Sequence, residues 1–336
     1  MPSYRRQARR AIAAALTGFA ALTALPGTVI AAPAAACPEV FSADFAAQLA
    51  RDFPDQRVTA SVVDTRTGCR HDLHPGLRIT TASVVKAAVL GAVLLKAQDE
   101  RRDLTAAQRA DISSMITYSH NNPHVSDLIA EVGGTAGMNR FDRRMGATAT
   151  RNSLSYGATT TTARDRTAIT LRMLHGGGPL STPSREEAWQ AMSSVHPTQR
   201  WGVSAGVPVG WSVALKNGFY PMRGNGWRVG STGFVRYDGG GGYAVTVLTD
   251  RSASQEAGMH LVEVVSHRVA VTITGGTAAP RTVDRSVCVT TTAGESWPAV
   301  SSRLGLSPRQ APAVRKVSGG NPAPLQGQRA CSPWLG

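Results

Sequence analysis

Strand patterns occur in two separate parts of the chain, and helical patterns fill the interval between them. Residues 57–73 predict two strands around a turn at 65–68, and further strand patterns occupy 210–220, 226–237 and 243–250. The helical signals between the two groups are broken by glycines and prolines. Strands this far apart in sequence share one core only if the two ends of a domain come together.

A predicted helix brackets the strands at each end. The first covers residues 42–53 with Ser42 as its N-cap, and the last ends near residue 273. The order favours a five-stranded antiparallel sheet flanked by helices, with an all-helical subdomain inserted at about 81–200. The fold class is therefore α/β in the broad sense (α+β), and the domain spans 37–275.

The first 36 residues have the composition of an export signal. A basic start with four arginines and no acid precedes an apolar run, and small residues lead up to Ala36. A transmembrane anchor is the alternative, but Gly18 and Pro26 interrupt the run. We expect cleavage, a mature chain without a transmembrane segment, and a secreted, extracellular protein at or near the cell wall. Both the Sec and the twin-arginine routes stay open.

The positive charge of the chain indicates which partners to expect. The formal net charge is +14, and subtracting the four signal arginines leaves +10 (14 − 4) for the mature chain. The basic residues are spread out, which favours anionic wall polymers over nucleic acid. No Cys/His pair has the spacing of a metal site. We therefore expect no cofactor, no nucleic-acid partner and a monomer.

Four cysteines in an exported chain predict disulfides. Their spacing favours two local bridges, Cys37–Cys69 and Cys288–Cys331. Lipid attachment at Cys37 is the alternative, although the preceding "PAAA" lacks the bulky aliphatic residue usual at the start of such a site.

The stretch "TTASVVKAAVL" places a serine and a lysine in an otherwise apolar run. The run predicts a buried helix, with Thr80 and Thr81 as suitable caps, and it sets Ser83 and Lys86 three residues apart on one face. Burial lowers the pKa of a lysine, and a neutral amine beside a hydroxyl can take its proton. The alternative is a structural lysine whose amine reaches solvent or an ion pair.

Two further motifs follow in order. "TYSHNN" contains Ser119 and Asn121, and "VALKNGFY" contains Lys216 and Gly218 on a predicted strand. Together with Ser83 and Lys86, they resemble the S-x-x-K, S-D-N and K-T-G motifs of class A β-lactamases and penicillin-binding proteins. The helix start "TTTTARD" at 159–165 also resembles that family, and the resemblance covers about residues 40–273.

The resemblance implies a role for each motif residue. Ser83 would be the acylated nucleophile, with Lys86 as its activating base. Ser119 would pass a proton to the leaving nitrogen, and Asn121 would hold both the substrate amide and Lys86. Lys216 would steer the substrate carboxylate. The substrate would be a β-lactam or a D-alanyl peptide.

The resemblance also implies substrate-binding residues. The oxyanion hole would combine the N–H of Ser83 with that of a residue just after Gly218, for which we choose Tyr220. Asn217 replaces the usual Thr or Ser, and its amide could still donate to the substrate. Arg228 would be a bidentate carboxylate partner, with an ordinary surface arginine as the alternative.

The chain departs from the family pattern in ways that bear on turnover. His120 replaces the usual Asp, and no Asp or Glu occurs between residues 143 and 164, where a class A β-lactamase carries its deacylating glutamate. Tyr156 is nearest that position, and tyrosine is a poor base at neutral pH. A rival third motif at 230–234 has no lysine. The sequence predicts acylation with slow deacylation, or else a non-catalytic peptidoglycan-binding protein on a relic fold.

The C-terminal segment 287–336 follows a predicted linker at 276–286 and resembles a degenerate lysin-motif (LysM) module. "AGESWPAVSSRLGL" resembles the opening of that family, and "GGNPAPLQGQRAC" resembles its close. The resemblance implies binding to the sugar backbone of peptidoglycan or chitin. A structural appendage without a ligand is the alternative.

Overall fold

The computed structural model of the protein describes residues 37–121, 123–276, 288–304, 311–318 and 321–331. The predicted export signal and nearly all of the predicted linker therefore lie outside the described residues. Within the described residues, no helix combines the length and apolar character needed to cross a membrane.

The main domain contains a mixed set of strands and helices. Its strands are β1 (Arg57–Asp64), β2 (Arg70–Leu73), β3 (Ile79–Thr80), β4 (Thr160–Thr161), β5 (Ser212–Pro221), β6 (Trp227–Arg236) and β7 (Gly242–Ser252). Its helices are α1 (Ala43–Asp52), α2 (Val85–Asp99), α3 (Ala106–Thr117), α4 (His124–Glu131), α5 (Gly134–Arg144), α6 (Ala163–Leu174), α7 (Thr182–Ser193) and α8 (Gln255–Thr274).

Five strands form one antiparallel sheet in the order β2-β1-β7-β6-β5. β1 pairs with β7 across a long sequence gap, with Ala60 opposite Val247. The prediction of one sheet assembled from both ends of the domain is confirmed. Ser42 caps α1 by accepting from Phe45 N–H, as its position before an amphipathic helix predicts.

The helix α2 is buried around nearly its whole circumference. Twelve of its 15 residues are buried, and they include Lys86. A helix with alanine, valine and leucine on every side can be stable only where other elements cover every side, which is the centre of the domain. The predicted caps are wrong: Thr80 lies in β3, and Thr81 precedes a 3₁₀ turn without making a side-chain capping bond.

The helix α6 packs against the five-stranded sheet. Thr167 Oγ1 donates to the Ser61 carbonyl of β1 at 3.0 Å, and Thr170 and Thr232 of β6 share a buried hydroxyl contact at 2.8 Å. Before α6, the short strand β4 pairs with β3. This small sheet ties the segment before α6 to the start of α2, where the site is built.

The cysteines lie in two parts of the chain that are far apart in sequence. Cys37 and Cys69 form a disulfide in the main domain, which confirms the first predicted bridge. In the C-terminal unit, β8 (Cys288–Thr290) and β9 (Arg329–Cys331) pair antiparallel, and Cys288 lies directly opposite Cys331. The second bridge stays a prediction that this register permits.

The C-terminal unit has an apolar cluster of its own. Two helices, α9 (Trp297–Arg303) and α10 (Ala311–Val317), lie between its strands in the chain. Trp297, Val300 and Val314 are buried together, and Trp297 Nε1 donates to the Asn321 carbonyl at 2.9 Å. The relationship to lysin motifs stays a prediction.

Candidate active site

Ser83 lies in a 3₁₀ turn, Ala82–Val84, that leads directly into α2. Its side chain is half-buried, at the N-terminal end of the central helix. Ala82, which precedes it, has a φ of 45°, in the left-handed region that alanine rarely occupies. Strain of this kind is held only where surrounding structure enforces it, and it is enriched at functional sites.

Lys86 is completely buried one helical turn after Ser83. Its Nζ donates to three oxygens at 2.8 Å each: the carbonyls of Ser119 and His120 and the side-chain Oδ1 of Asn121. Burial lowers the pKa of this amine to about 7. A base that is partly neutral near pH 7 is therefore available one turn from the serine hydroxyl.

Ser119 connects the two lysines of the site. Its carbonyl accepts from Lys86, and its Oγ accepts from Lys216 Nζ at 2.8 Å. Its φ is 61°, so a second non-glycine residue of the site is held in the left-handed region. Since Oγ accepts from Lys216, the hydroxyl proton of Ser119 is free to point elsewhere.

Lys216 is also completely buried, on the edge strand β5. Burial, and in second place the charge of Lys86, set its pKa well below the ordinary value of a lysine. Two positive charges buried close together repel each other, so the protonation of one lysine disfavours protonation of the other and the two titrations are coupled.

Gly218 allows β5 to approach the backbone of the nucleophile. A Cβ placed on this residue would lie 2.6 Å from Ser83 N and 2.5 Å from Val84 N. Real Cβ atoms do not come this close to backbone nitrogen, so only glycine fits here without a shift. The glycine of the third motif thus has a steric reason.

Tyr156 reaches the site from the segment that lacks an acid. It begins a 3₁₀ turn, Tyr156–Ala158, and its hydroxyl donates to Asn121 Oδ1 at 3.1 Å. Burial raises the pKa of this phenol above its usual value. The side chain at this place is therefore protonated at neutral pH and can donate but not accept a proton.

Comparisons with known proteins concern the family and the fold of the chain. The Beta-lactamase enzyme family matches residues 108–273, a range that contains Ser119, Asn121, Lys216 and Gly218 but begins after Ser83. The chain has no match among curated proteins. Similar solved structures, each at 21% identity, include a PBP-A mutant in an acyl-enzyme complex with penicillin G (68% of this chain, 94% of that chain, TM-score 0.59). They also include a class A β-lactamase from Mycobacterium abscessus (69%, 98%, 0.58) and a β-lactamase from Streptosporangium roseum (68%, 96%, 0.57).

The main domain has the class A β-lactamase fold. Its five-stranded antiparallel sheet, with helices on both sides and the helical block inserted after β3, is the arrangement that the sequence predicts. At 21% identity the likeness establishes the fold, and the chemistry has to be argued from the residues of this chain.

Asn217 departs from the expected substrate contact of the β-lactamase pattern. The side chain is buried, and its Nδ2 donates to the carbonyls of Gln199 at 2.6 Å and Trp201 at 3.2 Å. Both amide hydrogens are therefore occupied inside the protein. Asn217 fastens the loop before β5 to the strand and does not present a donor to the cleft.

Tyr220 and Arg228 lie directly opposite each other on β5 and β6. Tyr220 is 58% exposed, whereas Arg228 is only 7% exposed. Arg228 Nη1 donates to the Asn225 carbonyl at 2.9 Å, and its Nε is buried without a partner among the described residues. The alternative of an ordinary surface arginine is wrong; the predicted carboxylate contact stays a prediction.

The sequence did not predict a stack of aromatic rings beside Ser119. Tyr118 stacks on His120 and packs obliquely on His196, with ring centroids 5.3 Å apart in both pairs. The backbone N–H of His196 donates to the Thr117 carbonyl, which holds this part of the chain beside the end of α3. Burial and then the charge of Lys86 lower the pKa of His120. The only sequence signal was the local run "TYSH", because His196 is distant in the chain.

The described part of the chain does not contain a cluster of the side chains that commonly bind metal ions. No group of three or more His, Cys, Asp or Glu side chains is arranged there to hold an ion.

Proposed function

We propose that this domain is an active-site serine hydrolase of the β-lactamase and penicillin-binding type, acylated at Ser83 by a β-lactam or a D-alanyl peptide. The observation that carries the proposal is the set of hydrogen bonds that joins Lys86 and Lys216 through Ser119, with Lys216 on the strand that approaches the Ser83 backbone at Gly218. Two buried amines and a second serine have no evident structural purpose at the end of an apolar helix.

Acylation begins with the neutral amine of Lys86. It takes the Ser83 hydroxyl proton, and Oγ attacks the substrate carbonyl to form the tetrahedral intermediate. When the C–N bond breaks, Ser119 gives its hydroxyl proton to the leaving nitrogen, and Lys216 Nζ, which hydrogen-bonds Ser119 Oγ, can replace that proton. The exchange leaves one proton more on Lys86 and one fewer on Lys216.

The oxyanion hole needs a second N–H beside that of Ser83, and strand geometry favours Phe219 over Tyr220. The Asn217 carbonyl accepts from Lys216 Nζ at 2.8 Å, which indicates that it points away from β6. The N–H and C=O of one strand residue point the same way, and the direction alternates along the strand. Phe219, two residues on, would then present its N–H at the free edge, and Tyr220 would bond to β6.

Deacylation is the step of the reaction that the residues of this site support least. It requires a base that activates water beside the ester, and the loop that reaches the site supplies the Tyr156 phenol, whose pKa is raised. The site therefore supports ester formation better than ester hydrolysis. We infer a long-lived acyl-enzyme, as in a penicillin-binding protein, rather than rapid β-lactam turnover.

Labelling with a fluorescent penicillin tests the proposal. Wild-type protein should acquire one covalent label, and Ser83→Ala should acquire none. Asn217→Ala is a matched control, because it also changes a buried polar residue of the site region but removes no group of the proposed chemistry. Absence of a Ser83-dependent adduct, together with no opening of a chromogenic cephalosporin, would refute the enzyme and leave the relic-fold alternative.

We further propose that the protein is exported and that the C-terminal unit binds peptidoglycan. The Cys37–Cys69 disulfide supports an oxidising compartment outside the cytoplasm. The apolar cluster around Trp297 supports a separately folded unit, and the positive charge favours anionic wall polymers. Co-sedimentation with purified peptidoglycan tests this: the full mature chain should bind, and a chain that ends before residue 285 should bind much less. Equal binding by both would refute the role of the unit.

A further inference from the structure

We propose that Tyr156 is a positioning residue whose hydroxyl locks the Asn121 amide, so that Asn121 Nδ2 faces the cleft while its Oδ1 holds Lys86. For its effect on acylation the proposal rests on the function proposed above. Tyr156 occupies the segment where the acid of a β-lactamase is missing, and the structure gives it a different task from that acid.

The lock is visible at one oxygen atom. Asn121 Oδ1 accepts from Lys86 Nζ at 2.8 Å and from Tyr156 OH at 3.1 Å. Both neighbours are donors, so the atom between them has to be the amide oxygen, and Nδ2 has to point the other way. Asn121 is exposed, so the N–H groups of Nδ2 are turned toward solvent, where a substrate carbonyl could accept from them.

One donor alone would not fix an exposed asparagine. A side chain held only by Lys86 can pivot about that single bond, because the lysine amine also bonds to two backbone carbonyls and stays in place without the amide. A second donor from a different element removes this freedom. Tyr156 is the residue that supplies it from outside the Ser119–Asn121 loop.

The backbone that carries Tyr156 is tied to the nucleophile segment. Thr159 N–H donates to the Tyr156 carbonyl at 3.1 Å, and Thr81 N–H donates to the Thr159 carbonyl at 2.8 Å. A Cβ on Gly157 would lie 3.9 Å from Ala82 Cα, an ordinary packing distance. The backbone of Tyr156 is therefore tied to the residues that precede Ser83. This connection keeps the Tyr156 hydroxyl at a fixed position relative to Ser83.

The lock also acts on the basicity of Lys86. Its Nζ lies 6.0 Å from the centroid of the Tyr156 ring, and the other titratable groups around it are Lys216 and His120. Among the described residues, no carboxylate is hydrogen-bonded to it. Without the phenol, Asn121 Oδ1 would serve Lys86 alone and stabilise its ammonium form more, and Lys86 would become a weaker source of free amine near neutral pH.

The first test is a double-mutant cycle on acylation by a fluorescent penicillin. Tyr156→Phe should lower the second-order labelling rate about fivefold, the usual effect of one hydrogen bond. In an Asn121→Ala background the same change should have almost no effect, because the group through which it acts is gone. Tyr237→Phe is the matched control: it removes a buried phenol that donates to Asp64 at 3.0 Å, and should leave the rate unchanged.

The second test does not depend on activity. The chain contains only four lysines, at 86, 96, 216 and 316, so lysine side chains enriched in carbon-13 give four signals that single Lys→Arg changes can assign. Tyr156→Phe should move the Lys86 titration to higher pH, and Tyr237→Phe should not move it. If wild type fails to label, the proposed function is wrong. If wild type labels but Tyr156→Phe is additive with Asn121→Ala, or leaves the titration in place, the lock is wrong.

Discussion

Gly218→Ala is the substitution whose effect follows most directly from the geometry. The added Cβ would meet Ser83 N at 2.6 Å and Val84 N at 2.5 Å, whereas ordinary contact begins near 3.4 Å. Both neighbours are backbone atoms of the 3₁₀ turn that leads into α2, so either β5 or this turn has to move by about 1 Å. A displacement of about 1 Å can lower a rate about 100-fold, because the N–H donors of the oxyanion hole no longer point at the substrate oxygen.

The assay is the second-order rate of labelling by a fluorescent penicillin, with the unfolding temperature measured in parallel. Gly218→Ala should remain folded and label about 100-fold more slowly than wild type. Gly76→Ala is the control, since no heavy atom lies within 4 Å of the Cβ position there, and it should label normally. A folded Gly218→Ala protein that labels within threefold of wild type would refute the claim that β5 and Ser83 form one oxyanion hole.

The remaining predictions concern the Lys86 amine, the Asn217 side chain, the acid that is missing near Tyr156, and the Cys37–Cys69 disulfide. The labelling rate should fall about tenfold per pH unit below about 7, because Lys86 is then an ammonium that cannot accept a proton, and a flat profile would contradict this. Asn217→Ala should lower the free energy of unfolding by about 1–3 kcal/mol in urea titrations and change labelling by less than about threefold, because two buried carbonyls lose their donor. Tyr156→Glu should shorten the acyl-enzyme lifetime, followed by intact mass, and an unchanged lifetime would show that something besides the missing acid limits deacylation. Cys69→Ser opens a bridge with a sequence separation of 32, which should destabilise the domain by about 3–4 kcal/mol and leave labelling of the folded protein intact.

The architecture was accessible from the sequence because its patterns are local. The alternation of apolar residues marked β1 and the strands after residue 210, and the apolar run after Ser83 marked a helix that needs cover on all sides. A lysine in such a helix is conspicuous because burial of its charge is unfavourable. These signals predict the sheet, the central helix and the importance of Lys86 from the sequence alone.

Other features could not be predicted, because they depend on contacts distant in sequence or on strand direction. The Asn217 amide turns to Gln199 and Trp201, and nothing in "VALKNGFY" indicates this. The choice between Phe219 and Tyr220 depends on which carbonyls of the edge strand face outward. Thr81 lacks a capping role because a left-handed Ala82 separates it from α2.

Tyr156 falls between these cases. Its place in the segment without acid made it the nearest group to the missing glutamate, but its contact with Asn121 was not predictable from the chain. The pairing of β4 with β3 holds the segment that follows Tyr156 beside the segment that precedes Ser83, and from there the Tyr156 hydroxyl reaches that amide. Under the function proposed above, the same residue would account for both a slow release of the acyl group and an ordered acylation site.

The most direct test of the central claim is intact-mass analysis over time after addition of penicillin G. The account predicts a single adduct of one penicillin molecule on wild type, located at Ser83 by peptide mapping, that persists long after free drug is removed, and no adduct on Ser83→Ala. An adduct that forms on Ser83→Ala, or a wild-type protein that never gains mass, would contradict it.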